Sequence, residues 1–165
     1  MFIEAKTVVD LLEGTPAEII TMIIAMTPIF ELRGSIPVAI MSLEMSPLWA
    51  YFWSIIGNML PVIAIVFLLE EIVSFLSRKF EFWKKFFDWL FARTRKKVEK
   101  QIAKYGDWGL FFLVAIPLPV TGGWTGALAA FLFGIKKPKA IFVITLGIMT
   151  AGVIVLFLTI GATNL

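Results

Sequence analysis

Two stretches of this chain, residues 48–69 and 140–160, each run for more than 20 residues without a formal charge. An α-helix rises about 1.5 Å per residue, so about 20 apolar residues match the roughly 30 Å hydrocarbon core of a bilayer. Neither stretch has a charged face to turn to water. The composition agrees, with 59% apolar and 16% charged residues, against about 45–50% and about 25% in a typical soluble domain. The chain therefore reads as an all-α integral membrane protein forming a single membrane domain over residues 1–165, with no soluble domain.

Two further apolar blocks, 19–43 and 110–133, are broken. The first contains Pro28, Glu31, Arg33, Gly34 and Pro37 in TPIFELRGSIP, and the second Pro117, Pro119, Thr121, Gly122, Gly123 and Gly126 in IPLPVTGGWTG. Proline removes a backbone donor and drives the residue before it out of helical angles. A freed backbone group in hydrocarbon must find another partner, so such breaks belong inside protein or beside a wet cavity. Both blocks are expected to be re-entrant hairpins, with the chain unwound between Pro28 and Pro37.

The halves repeat each other. Pro28 and Gly34 recur as Pro117 and Gly123 at a shift of 89 residues, and Gly57-Asn58-Met59 recurs as Gly147-Ile148-Met149 at 90. Pro47 and Pro138, which open the two unbroken blocks, match at 91. The expected architecture is an inverted repeat, 17–69 and 108–162, each half a re-entrant helical hairpin plus one transmembrane helix. Joining them is segment 70–107, where ten of the fifteen basic residues lie between Arg78 and Lys104. Phe80, Phe82, Trp83, Phe86, Phe87 and Trp89 alternate with these charges, as in a helix lying at the membrane interface against anionic lipids. A nucleic-acid partner is not expected, because it would leave those aromatics exposed. Each half crossing once puts this segment and Lys136, Lys137 and Lys139 on one side. By the positive-inside rule that side is the cytoplasm, and the membrane is the cytoplasmic (plasma) membrane.

With no cysteine and no histidine, disulfides and thiolate or imidazole metal sites are ruled out, and any proton chemistry must run through carboxylates. No cofactor site is expected. The first residues carry Glu4, Asp10 and Glu13 against Lys6, unlike the basic start of a signal peptide, so they are expected to stay in the mature chain. Glu31 and Arg33 are the only formal charges inside the four blocks. Burying a charge at mid-membrane costs about 2.5–3.5 kcal/mol even on lenient scales, which makes the pair a functional candidate. In an unwound segment both could face one cavity, Arg33 holding a phosphate or carboxylate and Glu31 carrying a proton. The plainer reading is a buried pair that locks the hairpin. Thr121, Gly122 and Gly123 read as a hairpin apex or helix start whose free N–H groups, with the Thr121 hydroxyl, face an anion; equally, Gly122 and Gly126 form a close-packing GxxxG. Trp124 is a candidate cavity wall, and Asn58 either interhelical glue or a ligand.

The strings TPIFELRGSIPVAI and IPLPVTGGWTGALAA resemble the small multidrug export protein family over about residues 18–160, and more loosely the DedA (VTT-domain) superfamily. The resemblance implies paired re-entrant hairpins meeting in the membrane and, for DedA relatives, proton-coupled or lipid-phosphate transport. Its motif positions are Glu31, Arg33, Gly34, Pro37, Pro117, Pro119, Thr121, Gly122 and Gly123. DedA proteins carry arginines in the later half; here the second hairpin has no charge. The expected function is a transporter or lipid translocase for an anionic lipid or small amphiphile. The alternatives are an exporter of small cationic drugs and a membrane scaffold working through the basic helix. No nucleophile–base pair or phosphate loop suggests an enzyme. With so few spans, a homodimer is a natural way to enclose a pathway. Cysteines at positions 46 and 136 test the topology: an impermeant maleimide should label them from opposite sides of the membrane, whereas four full crossings would put both on one side.

Overall fold

The computed structural model describes Leu12, residues 14–118 and residues 121–163. Among them every regular element is helical: α1 (Ala17–Met26), α2 (Glu31–Met41), α3 (Pro47–Lys79), α4 (Glu81–Tyr105), a 3-10 turn (Gly106–Trp108), α5 (Gly109–Ala115), α6 (Gly123–Leu132) and α7 (Lys137–Thr163). Two short helices followed by a long one thus occur twice, with α4 between.

Local chemistry sets these boundaries. Helix α1 stops at Thr27, whose ψ of 140° is the extended angle demanded by Pro28. The Thr27 hydroxyl donates to the Ile24 carbonyl at 2.8 Å and accepts the Phe30 N–H at 3.3 Å, tying up groups freed at the break. Helix α3 begins with Pro47, where a missing N–H costs nothing. It ends at an extended Phe80, and α4 ends at Gly106 with a φ of +57°.

The stretch between Pro28 and Pro37 is not unwound. Helix α2 starts at Glu31 and continues through Pro37, so the interruption is confined to residues 27–30. Pro37 forfeits only the bond to the Arg33 carbonyl, and in hydrocarbon the helix still satisfies more backbone than an extended chain would. Glu31 and Arg33 therefore come together by side-chain reach rather than by sharing the face of an extended strand. In the second half the chain leaves the helix between α5 and α6; Pro119 lies outside the described residues. Helix α3 also outruns its apolar block by ten residues, to Lys79.

Packing follows the small residues. Helices α1 and α2 pack on α3, α5 and α6 pack on α7, and the second short helix of each half also packs on the other half's long helix. Where α1 crosses α3, a Cβ on Gly57 would stand 2.6 Å from the Met22 carbonyl oxygen. Where α5 crosses α7, a Cβ on Gly147 would stand 2.8 Å from Val114. Leu32, Val62, Leu110, Val114, Ile144 and Ile148 share the core between the halves. A buried hydrogen bond, Ser35 Oγ to Ser54 Oγ at 2.7 Å, joins α2 to α3.

Helices α3 and α7 carry the apolar runs, with mean hydropathy of 2.3 and 2.7, yet only 17% and 39% of those windows are buried. A core helix of a soluble protein hides such a surface. Here Phe67, Leu68, Phe157 and Leu158 point outward, as lipid-facing side chains do. This is a membrane protein. Helix α4 buries Phe87, Thr94 and Val98 on one face and exposes Phe82 and Trp89. Arg95 lies over the Phe133 ring and donates to the Leu132 carbonyl at the end of α6, and Lys139 pairs with Asp107 at 2.6 Å.

The glycine crossing is testable. Gly57→Ala should cost about 1–3 kcal/mol in detergent unfolding, the range for overpacking. Gly161→Ala, with nothing within 4 Å of its Cβ, should be neutral or gain up to about 1 kcal/mol from helix propensity.

Candidate functional site

Glu31 is the first residue of α2 and has a φ of +45°, a left-handed conformation that non-glycine residues rarely adopt and that marks functional or over-determined positions. Its N–H donates to the Thr27 carbonyl at 3.1 Å. Its side chain is buried and reaches across to the other half, where the Oε1 oxygen accepts the Trp124 N–H at 3.5 Å and the Gly123 N–H lies beside it. These are first-turn donors of α6, which have no partner within their own helix and carry its positive dipole end. A carboxylate from one half thereby caps a helix of the other.

Gly122 makes that approach possible. It has a φ of +145°, and a Cβ there would lie 1.8 Å from Glu31 Oε2. Arg33 completes the arrangement: its Nη2 is 3.6 Å from Glu31 Oε2, and its Nη1 donates to the Leu118 carbonyl in the second break. Burial lowers the Lys97 ammonium below its ordinary range, and the positive charges of Arg93 and then Arg33 push it the same way. The basic helix α4 is thus within electrostatic reach of the site.

A cavity of about 10 Å³ lies among Glu31, Arg33, Asn58, Thr121, Gly122 and Gly123, closed by Leu32, Val114, Pro117, Ile148 and Ala151. Six of the sequence candidates are therefore gathered at one point. The Thr121 hydroxyl is committed to the break itself, donating to the Leu118 carbonyl at 2.8 Å with the Ile116 carbonyl at 3.1 Å. Trp124 turns its indole N–H to the Met26 carbonyl at the end of α1, at 3.1 Å, and only its backbone faces Glu31. Gly34 and Pro37 lie farther along α2. Gly34 packs under Phe30, where a Cβ would stand 2.7 Å from the Phe30 Cβ. Gly126 of the GxxxG spacing is a packing position, its Cβ place 2.7 Å from Val114.

Two contributors escape a reading of side chains alone: the carbonyls of Leu118 and Met26. Leu118 precedes Pro119, a signal that its carbonyl would fall outside a helix. Ile148 is the counterpart of Asn58 at the shift of 90, and both line the cavity.

Chemically, two helix N–H groups and a guanidinium converge on one oxyanion, which is a carboxylate supplied by the chain. A family model described as "Putative small multi-drug export protein" matches residues 31–154, about three quarters of the chain, from Glu31 into α7. Neither a curated protein nor a solved structure matches it. By that match, which spans both walls of the site, the chain belongs to the small multidrug export protein family.

Proposed function

We propose that this protein is a transporter or lipid translocase that moves an anionic, phosphate-bearing lipid or small amphiphile with proton coupling. One observation carries the reading: the Glu31 carboxylate occupies an oxyanion position built from the α6 N-terminus and Arg33. A helix N-terminus beside a guanidinium suits phosphate as well as carboxylate. Protonating Glu31 removes the internal anion and frees these donors for a substrate oxyanion. Proton and substrate then favour each other's binding, and the coupling is reciprocal.

The architecture supports movement around this point. Helices α1, α2, α5 and α6 have at most 11 residues each, about 17 Å at most, so each reaches only about half-way across a bilayer. Re-entrant pairs entering from opposite faces would meet at mid-membrane, where Glu31 and α6 touch. The reciprocal packing of the halves and the paired crossings at Gly57 and Gly147 support an inverted repeat, an arrangement that allows rocking around a fixed central site. In this reading the protein lies in the cytoplasmic membrane, with 78–104 on the cytoplasmic side against anionic lipids, and a second copy supplies the remaining wall.

The family's description favours a second reading, export of small amphiphilic cations with Glu31 as counter-charge. Arg33 beside Glu31 weighs against it, since a cation would have to approach a guanidinium.

Proteoliposomes loaded with a fluorescent lipid phosphate or a cationic dye separate these readings. Arg33→Ala should lower lipid-phosphate flux by about tenfold to a hundredfold, the worth of one charge-assisted hydrogen bond. Glu31→Gln should abolish its dependence on a proton gradient. Dye flux that survives Arg33→Ala but not Glu31→Gln would support the cation exporter, and no flux of either probe would point to a scaffold. Gly122→Ala, whose methyl group would take the carboxylate's place, should likewise abolish the dependence on a proton gradient.

A further inference from the structure

Asn58 is 1% exposed, and no protein group bonds either its Nδ2 or its Oδ1. Buried side-chain amides are nearly always satisfied, so a wholly unpartnered one needs an explanation. It lies in the first half of α3 on the wall of the same cavity as Glu31, with its Oδ1 against Gly123. The cavity's volume of about 10 Å³ is close to the minimum that accommodates one water molecule.

We propose that Asn58 is a positioning residue that holds a single water against the Glu31 carboxylate, and that this water carries the proton to and from Glu31. The inference rests on the reading of Glu31 as the proton carrier. A water both donates and accepts, so it can satisfy the amide's Nδ2 and Oδ1 and still reach a carboxylate oxygen; a metal cation would leave Nδ2 unbonded. The surroundings also oppose a cation: Arg33 is 3.6 Å from Glu31, and the α6 N–H groups face the same carboxylate. Arg33, with its side chain 17% exposed, forms the outer edge of the cavity. In the transfer the water gives one proton to a Glu31 oxygen and takes another from solvent on that side. Ile148, at the repeat-related position, has no such capacity.

The test uses the full chain in nanodiscs, resolved finely enough to show waters. The expected result is one peak within about 3.2 Å of both the Asn58 amide and a Glu31 oxygen. A dry cavity, or a peak ligated at cation distances of about 2.4 Å, overturns the proposal. In proteoliposomes carrying the fluorescent lipid phosphate and a pH-sensitive dye, Asn58→Leu, similar in shape but without donor or acceptor, should slow proton flux about tenfold or more. Asn58→Ser, which keeps a hydroxyl and leaves room, should restore most of the rate, and its peak and flux decide the matter if the leucine variant does not fold. A folded Asn58→Leu protein with wild-type proton flux overturns the carrier role. Wild-type flux in Glu31→Gln would instead overturn the proton coupling on which the inference rests.

Discussion

The interaction on which the rest of this structure depends is a carboxylate from one half seated on the helix start of the other. A helix N-terminus within a membrane leaves several N–H groups without partners, and each costs kilocalories in hydrocarbon. A local serine or aspartate cap would solve the problem within one half. This chain uses Glu31 instead, 93 residues away from the Trp124 N–H it accepts. The solution forces the halves into register, requires the bare Gly122, and places Arg33 where it balances the carboxylate.

The two breaks serve that contact. At the first, Thr27 and Pro28 stop α1 and let the chain turn so that α2 begins at Glu31; at the second, the chain leaves α5 and restarts at Gly123. The carbonyls they release are taken up across the halves, Leu118 by Arg33 and Met26 by Trp124. The interruptions that look like defects in single helices are thus the joints by which four short helices hold one another.

Much of this was legible in the residues. A charged pair in an apolar block, an asparagine within a span and a glycine-rich restart are each costly or strained in lipid, and they converge because one place accounts for all of them. The lipid-facing α3 and α7 follow from length and hydropathy alone. The conformation around Pro37 was not legible: one proline inside a helix costs a single bond, and the membrane's demand for internal pairing outweighs the tendency of proline to break. Nor do side-chain patterns reveal the left-handed backbone at Glu31 or the roles of the Leu118 and Met26 carbonyls, since backbone groups leave only indirect traces in a sequence. Trp124 shows the same limit: an aromatic beside a cavity can be there for its N–H and not for its ring.

Helix α3 has a mechanical consequence. It runs unbroken from Pro47 to Lys79, about 50 Å at 1.5 Å per residue. Asn58 stands at the cavity, and three residues later Pro61 removes the bond to the Gly57 carbonyl, the kind of gap at which helices bend. From Pro61 to Lys79 the helix is a lever of about 27 Å, so a bend of about 10° would swing its far end by about 5 Å. That end carries α4, and Lys137 at the start of α7 lies over the Phe67 ring along the way. A small tilt of the wall beside Glu31 would thus be enlarged about twofold or more by the time it reaches the extended Phe80 at the start of the basic helix.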